Sequence, residues 1–188
     1  MMNDHKKMFI LIIFMLVIVV SSVAFANDTK SIHYYSKPES IIHEIKSRGA
    51  NAVVSELYSD LNVWHSILQK IATGNQSWLE VAVALRAGSD AGASEMLTLA
   101  VGEALQNNPK HVFTIAAKAF ELRNICSGPD VDDERYNSYE LSMKEIDRRI
   151  EKIKVVKDRS MEKISKECIQ YLEASKKGIS DFYGIKNK

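Results

Sequence analysis

The chain has 188 residues, of which 46% are hydrophobic and 26% are charged, and its formal net charge is +1. This balance argues against a nucleic-acid-binding domain, which normally carries a basic excess. With only eight glycines and three prolines, the composition also argues against disorder, a collagen-like repeat and a turn-rich all-β fold, and the length suits one domain with a sizeable core.

The first element in the chain is an apolar segment that predicts export. Two lysines precede an unbroken hydrophobic run over residues 8–20, and the small residues Ala24 and Ala26 follow it. A basic start, an apolar run of roughly 7–15 residues and small residues before the cleavage point are typical of a signal peptide. We therefore expect cleavage after Ala26 and a periplasmic or secreted protein. The alternative is a retained anchor, although the run is short of the about 20 residues that a membrane span needs.

Cleavage would also change the charge of the molecule. Residues 1–26 contain two lysines and one aspartate, so that of 25 basic and 24 acidic residues 23 of each would remain. The mature chain would have no global field to steer it towards nucleic acid or an acidic membrane. Any partner that binds through charge must then contact a local patch.

From Pro38 onwards, apolar residues recur at helical spacing and no strand-like alternation persists. Caps and glycines divide the pattern into helices. We predict a short helix within residues 36–49 and a helical stretch over 51–73, with Asp60 as a candidate break. A third helix is opened by Ser77 and ended by Gly88, and a fourth is opened by Ser94 and Glu95. A fifth starts at Asn108 and Pro109 and runs to about Cys126.

An internal boundary follows at residues 127–130, after which the sequence becomes more charged. We predict a long helix over 133–156, with the pairs Glu140–Lys144 and Glu145–Arg149 on its outer surface, and a last helix over 160–177. The predicted fold is all-α, an array or bundle of six to seven helices with a C-terminal helical hairpin. In this division, 1–26 is the signal peptide, 27–37 a tail, and 38–188 one domain made of an array (38–126) and a hairpin with its tail (127–188).

Cys126 and Cys168 are the only cysteines. An even number of cysteines in an oxidising compartment predicts a disulfide. Closing a loop of this length would stabilise the fold by about 4 kcal/mol through the entropy of the unfolded chain. Two unpaired, packed thiols are the alternative, and a redox-active pair is disfavoured because the Cys-x-x-Cys spacing is missing.

The sequence lacks the common motifs for metal and nucleophilic chemistry. The histidines have no zinc-site spacing, and there is no nucleophile elbow, phosphate loop or dinucleotide fingerprint. The acidic run Asp130, Asp132, Asp133 and Glu134 fails the calcium-loop template, because an arginine and a leucine stand where glycine and glutamate are required. We interpret these acids as the start of a helix, where they complement its dipole. We therefore expect no metal and no cofactor.

Several short segments, taken in order, resemble a pattern in uncharacterised exported helical proteins of Gram-negative bacteria. The resemblance covers about residues 51–172 and is carried by caps, turns and core positions. It implies the helical fold and the compartment, and it implies no activity. The segments are Trp64 to Ile71, Gly74, Trp78-Leu79, Val81-Ala82, Asp90-Ala91-Gly92, Ser94-Glu95, Ala104-Leu105, Asn108-Pro109, Cys126 and Cys168.

Two classes of function fit these observations. The first is a non-catalytic protein-interaction module of the cell envelope, one form being an inhibitor or immunity-type partner of an enzyme or toxin. The second is a small hydrolase of envelope glycans or peptides, which a cleft with two acids about 5–9.5 Å apart would favour. We lean towards a non-enzyme whose partner is another protein, with no nucleic acid and no membrane span after signal cleavage.

Loops carry function more often than helix faces. We therefore predict that a partner contacts the turn at 88–94 together with the loop at 130–134. The candidate contact residues are Asp90, Ser94, Glu95, Asp130, Asp132, Asp133 and Glu134.

Overall fold

A computed structural model describes residues 35–185. The predicted signal peptide and most of the tail at 27–37 lie outside this part of the chain. Within it there are nine α-helices and no strand, which confirms the all-α prediction, and seven of the helices have ten residues or more. They are α1 (Pro38–Arg48), α2 (Ala50–Ser59), α3 (Leu61–Ala72), α4 (Gln76–Arg86), α5 (Ala91–Ala104), α6 (Pro109–His111), α7 (Leu122–Ile125), α8 (Tyr139–Lys154) and α9 (Glu162–Phe182).

Local capping chemistry sets most of the helix boundaries in the array. The Asp60 side chain accepts hydrogen bonds from the backbone N–H groups of Asn62 (3.0 Å) and Val63 (3.3 Å) and so divides α2 from α3. The Asn108 side chain caps α6 by accepting from the His111 N–H at 3.2 Å. Gly74 follows α3 with φ +70, a left-handed conformation that glycine adopts without strain. These three boundaries agree with the sequence pattern.

Two helices start earlier than predicted. Asn75, and not Ser77, caps α4, because its side-chain oxygen accepts from the Ser77 and Trp78 N–H groups. Helix α5 starts at Ala91, directly after Asp90, so that Ser94 lies within the first turn. Asn is among the best N-caps, which explains the start of α4. Asp90 occupies the N-cap position of α5 without a side-chain hydrogen bond to the helix.

The predicted helix from Asn108 to Cys126 is wrong, because the helix changes to π-helical geometry at Val112 and then breaks at residues 117–121. The single turn of α6 continues into a π-helical turn, Val112–Ala116, and α7 forms only after a non-helical stretch. In one straight helix, positions 120 and 125 would point about 140° apart. The break lets Phe120 and Ile125 both lie in the core, where they are 3% and 0% exposed.

The core runs through the array and the hairpin together. Helix α3 packs along α5, and α4 lies against α1 and the π-helical turn. Trp64 is fully buried, and its ring makes an edge-to-face contact with Tyr58 at 5.6 Å between centroids. Gly88 ends α4 where a side chain would not fit, since a Cβ there would come within 2.3 Å of the Ala50 backbone.

The C-terminal hairpin is confirmed, with different bounds. Helices α8 and α9 are antiparallel, since the Lys176 Nζ lies 2.6 Å from Asp147 Oδ1 and the rings of Tyr139 and Tyr183 meet at 6.2 Å. Helix α8 starts at Tyr139, where Ser138 caps it, and not at residue 133. Helix α9 continues through Gly178 to Phe182, because this extension buries Ile179.

The predicted outer surface of α8 is half right. Glu140 and Lys144 are exposed, but the side chains of Glu145 and Arg149 are only 2% and 3% exposed. The buried positions of α8 are 142, 145, 146, 149, 150 and 153, which is the spacing of one helix face. Glu145 and Arg149 therefore belong to the face that contains the isoleucines.

Cys126 and Cys168 form the predicted disulfide, with 5.2 Å between their Cα atoms. Both residues are fully buried. The bond joins the end of α7 to the middle of α9 and so fastens the hairpin to the array. Between residues 35 and 185, no helix combines the length and the apolar character that a membrane span requires.

Candidate functional site

A cleft of about 340 Å³ opens between α3, α5, α8 and the connection from α7 to α8. We call it the acidic-loop cleft. Its apolar lining comes from α3 and α5, with Leu68, Met96 and Leu99 partly buried and Ala100 buried. Its polar lining is His65, Gln69, Glu103, Asp130, Asp133, Arg135, Tyr136 and Arg149. The cleft thus has apolar walls and a charged opening.

Arg135 is the centre of the charged part. Its Nη2 lies 2.7 Å from Glu103 Oε1 and 2.6 Å from Asp133 Oδ2, and its Nη1 and Nε make second bonds to the same two carboxylates at 3.1 Å. A guanidinium fork that binds two carboxylates in this way fixes their relative geometry. The contact ties the loop to α5.

The hydrogen bonds and charges around Arg135 shift the pKa values of Asp133, Arg135 and Tyr136. The hydrogen bonds from Arg135 hold the pKa of the Asp133 carboxyl below its ordinary value. In turn, hydrogen bonds to Asp133 and Glu103 raise the pKa of the Arg135 guanidinium. Burial, followed by the negative charge of Glu103, raises the pKa of the Tyr136 phenol. At neutral pH Asp133 and Arg135 therefore form an ion pair, and Arg135 also binds Glu103.

The arrangement is poorly suited to proton transfer by Asp133. The oxygens of Asp133 and Glu103 that share Arg135 Nη2, at 2.6 Å and 2.7 Å, lie within about 5.3 Å of each other. The two carboxylates are therefore neighbours on one guanidinium nitrogen. A carboxyl that acts as a general acid near neutral pH needs a raised pKa, and Arg135 moves the pKa of Asp133 in the opposite direction.

The acidic loop is built from turns that its own aspartates make. Asp130 Oδ1 accepts from the Asp132 N–H at 3.0 Å, and Asp133 Oδ1 accepts from the Arg135 N–H at 2.9 Å. Such side-chain bonds compete with helix formation. The prediction that these acids start a helix is therefore wrong. Their position in the sequence is not explained by an interaction with a helix dipole.

Helix α8 supports this loop from below. Arg149 Nη1 donates to the Ser127 carbonyl at 3.1 Å, and the buried Ser142 hydroxyl donates to the Tyr136 carbonyl at 2.7 Å. Two points of the loop, one near each end, are thus held by buried side chains. The opening of the cleft is a fixed part of the fold.

The structure separates the predicted contact residues. Asp130 and Asp133 line the acidic-loop cleft, whereas Asp132 and Glu134 are exposed on the same loop outside it. Asp90, Ser94 and Glu95 lie around the start of α5, and position 90 is about 20 Å from position 103 at 1.5 Å per residue. The turn at 88–94 does not contribute to the lining.

The sequence offered Glu103 only as one of five acids of the array that a hydrolase could use, with Glu56, Glu80, Asp90 and Glu95. Its link to Arg135 and the apolar wall were missed. The two partners in the main ion pair are 32 residues apart, so no local spacing links them. The one available signal was an arginine within an acidic run. Nowhere in residues 35–185 do three or more His, Cys, Asp or Glu side chains group so that they could hold a metal ion.

Comparison of the chain with protein-family models, with curated proteins and with solved structures gives no match. The chemistry of the cleft is therefore argued from its own geometry.

Proposed function

We propose that the protein is an exported, non-catalytic interaction module of the cell envelope, cleaved after Ala26. Its partner is another protein, which inserts an apolar side chain into the acidic-loop cleft. An inhibitor or immunity-type partner of an enzyme or toxin is the most concrete form of this role.

Two features support export. Disulfides form and persist in oxidising compartments such as the periplasm, and Cys126 and Cys168 are bonded. The apolar run at 8–20, between lysines and small residues, is the pattern of a signal peptide. The two observations concern distant parts of the chain and are independent of each other.

The observation that carries the proposal is the combination of apolar wall and fixed charged opening. Protein interfaces gain most of their affinity from a few anchors that fill well-packed pockets, with polar groups around them. Met96 is flexible enough to adapt to an inserted side chain. The side chain of Arg135 is 59% exposed while it holds Glu103 and Asp133, so its outer edge can still accept a polar partner group.

Hydrolysis is the second candidate, and one observation favours it. The Glu103 and Asp133 carboxylates are neighbours, since both bind Arg135 Nη2, at 2.7 Å and 2.6 Å, and glycoside hydrolysis uses a pair of carboxyl groups. The same guanidinium binds both carboxylates, which suits a structural cluster better than an acid and a nucleophile. The binding role is therefore the stronger candidate.

The test is a capture experiment with two matched variants. Gln69→Trp places a large ring at the opening of the cleft, and Leu61→Trp places the same ring on an exposed position of the same helix outside it. We expect wild type and Leu61→Trp to capture the same protein from an envelope extract, and Gln69→Trp to lose it. Equal capture by all three would contradict binding at the cleft.

A hydrolysis assay separates the second candidate. The wild-type protein should leave purified envelope glycans and peptides intact. Cleavage by wild type that Glu103→Gln abolishes, in the absence of any captured partner, would reverse the ranking of the two functions.

A further inference from the structure

A second cleft, of about 740 Å³, lies where the C-terminal end of α8 meets the start of α6. We call it the basic cleft. It is lined by residues 107–110, by Lys152 and by residues 155–159. Two stretches of chain therefore converge on it, residues 107–110 and residues 152–159.

The charge of this cleft is one-sided. Four cationic side chains line it, from Lys110, Lys152, Lys157 and Arg159, against one acid, Asp158. The formal net charge of the whole chain is only +1. The excess of three positive charges is thus a local segregation of charge that the total composition conceals.

The single acid is already engaged. Asp158 Oδ1 accepts from the Ser160 N–H (3.1 Å) and hydroxyl (2.7 Å), and Oδ2 lies 3.5 Å from Lys110 Nζ. Within the part of the chain that the structure describes, the ammonium groups of Lys152 and Lys157 and the guanidinium of Arg159 have no carboxylate within 4 Å. Like charges that face one cleft repel each other, and this repulsion is relieved when an anion binds between them.

A compact, multiply charged anion fits this geometry better than separated carboxylates do. A phosphate monoester carries about −1.5 to −2 at neutral pH on one group with three acceptor oxygens. Lysine binds phosphate as a point charge, without the planar fork that selects carboxylates. Because Lys110 and the three cations of residues 152–159 line one space from two stretches of chain, a single phosphate could contact several of them.

Apolar residues line the same cleft. Val155 is 66% exposed, and Val156 and Pro109 form further wall. An exposed valine beside lysines offers a contact for the non-phosphate part of a ligand. We propose that the basic cleft binds a phosphate group carried on an organic molecule, either a soluble phosphate ester or a phospholipid headgroup. This site is separate from the acidic-loop cleft, and its occupation does not depend on the proposed function.

Two charge-reversal variants test the site. The first variant inverts the charge of the cleft with the triple substitution Lys152→Glu, Lys157→Glu and Arg159→Glu. The second makes the same change in net charge at exposed positions that do not line the cleft, with Lys46→Glu, Lys118→Glu and Lys144→Glu. Calorimetric titration with inorganic pyrophosphate at low ionic strength measures affinity. We expect the cleft variant to bind at least about tenfold more weakly, since several charge-assisted contacts are lost, and the control to change by less than about twofold.

A measurement on the wild-type protein needs no variant. Addition of pyrophosphate should shift the amide resonances of Asn107, Asn108 and Lys110 and of residues 152–159, and leave those around the acidic-loop cleft in place. Co-sedimentation with vesicles then distinguishes the sources of phosphate. Binding to vesicles that contain phosphatidic acid, whose headgroup is a phosphate monoester, but not to phosphatidylcholine vesicles, with the same dependence on the cleft residues, identifies a headgroup. Binding to pyrophosphate alone identifies a soluble ester.

Several results would overturn the proposal. No saturable binding of pyrophosphate or vesicles would show that the cleft takes no phosphate. Equal weakening in both variants would show a general effect of net charge. Binding of poly-glutamate without binding of pyrophosphate would assign the cleft to an acidic polypeptide.

Discussion

The buried pair of Glu145 and Arg149 offers the sharpest test of how the hairpin is held to the array. Arg149 Nε lies 2.9 Å from Glu145 Oε1, with the side chains 3% and 2% exposed. Arg149 also donates to the Ser127 carbonyl at 3.1 Å. The perturbation is Arg149→Met, which keeps much of the side-chain volume and removes the charge and all donors.

The expected magnitude follows from what the change leaves behind. The Glu145 carboxylate would remain buried, with Arg148 at 3.4 Å as its nearest cation, and that side chain is 49% exposed. Breaking a buried ion pair from one side costs about 3–5 kcal/mol. For a protein of this size, such a loss corresponds to a fall in the melting temperature of roughly 10 °C.

The assay is urea unfolding followed by circular dichroism, with the disulfide intact. The double variant Glu145→Leu with Arg149→Met removes both charges, and it should lie within about 1–2 kcal/mol of wild type, because apolar replacement of a whole buried pair is often near neutral. The control Lys144→Met changes an exposed cation on the same helix and should alter stability by less than about 0.5 kcal/mol. A loss below about 1 kcal/mol for Arg149→Met, or a double variant that equals the sum of the single ones, would refute this reasoning.

Three further predictions concern the rest of the fold. Thiol counting in denaturant should find no free thiol, and two titratable thiols in exported protein would contradict the bond. The double variant Cys126→Ser with Cys168→Ser should lower the free energy of unfolding by about 4 kcal/mol. Gly88→Ala should destabilise the fold by about 2–3 kcal/mol or more, because the new Cβ would meet the Ala50 backbone at 2.3 Å. As the control in thermal unfolding, Gly178→Ala should stabilise the fold by about 0.5–1 kcal/mol, because a Cβ there has nothing within 4 Å. Burial, followed by the hydrogen bond to Glu56, raises the pKa of Tyr35 to about 12. The folded state therefore keeps a proton that the unfolded state releases near pH 10, so the free energy of unfolding should fall as the pH rises from about 10 to about 12. The difference in phenolate absorbance between wild type and Tyr35→Phe should have its midpoint near pH 12 and not near pH 10.

The helical order was readable from the sequence because it is encoded locally. Asp60, Asn108 and the glycine after α3 set boundaries through their own side chains or conformations. The errors occur where tertiary contacts decide. Helix α9 passes Gly178 because burial of Ile179 outweighs the small cost of an exposed glycine, and the break before α7 reflects two core positions that one straight helix cannot face together.

The inner face of α8 shows a different limit. Spacing of three and four residues indicates which positions share a face, but hydrophobicity decides which face is taken as buried. Glu145 and Arg149 directly precede Ile146 and Ile150 and so lie beside the apolar stripe. Because charged residues are seldom fully buried unless paired, the sequence pattern predicted that Glu145 and Arg149 are exposed to solvent. Only the contact with Ser127 shows why the pair lies inside.

The candidate site was recoverable only in part, for a related reason. Asp130 and Asp133 were found because they form a conspicuous run, and their turns are local. The contact of Arg135 with Glu103 and the apolar wall formed by α3 and α5 each bring together residues that are tens of positions apart in the sequence. No periodicity or motif in the sequence indicates such long-range contacts. The basic cleft was hidden in the same way, since Lys110 lies more than 40 residues before its other cations in a chain whose charges almost cancel.

Helix α8 links the two clefts and makes their integrity depend on how the hairpin docks. Its buried Arg149 and Ser142 hold the acidic loop, and three residues after Arg149 the helix contributes Lys152 to the basic cleft. Between the clefts, Arg148 Nη1 donates to Gln106 Oε1 at 2.8 Å. A variant that loosens the hairpin, such as one without the disulfide, should therefore weaken ligand binding at both clefts together. Gln69→Trp and the reversal of the basic cleft should each affect one cleft alone, so that the pattern of losses separates damage to the scaffold from damage to a site.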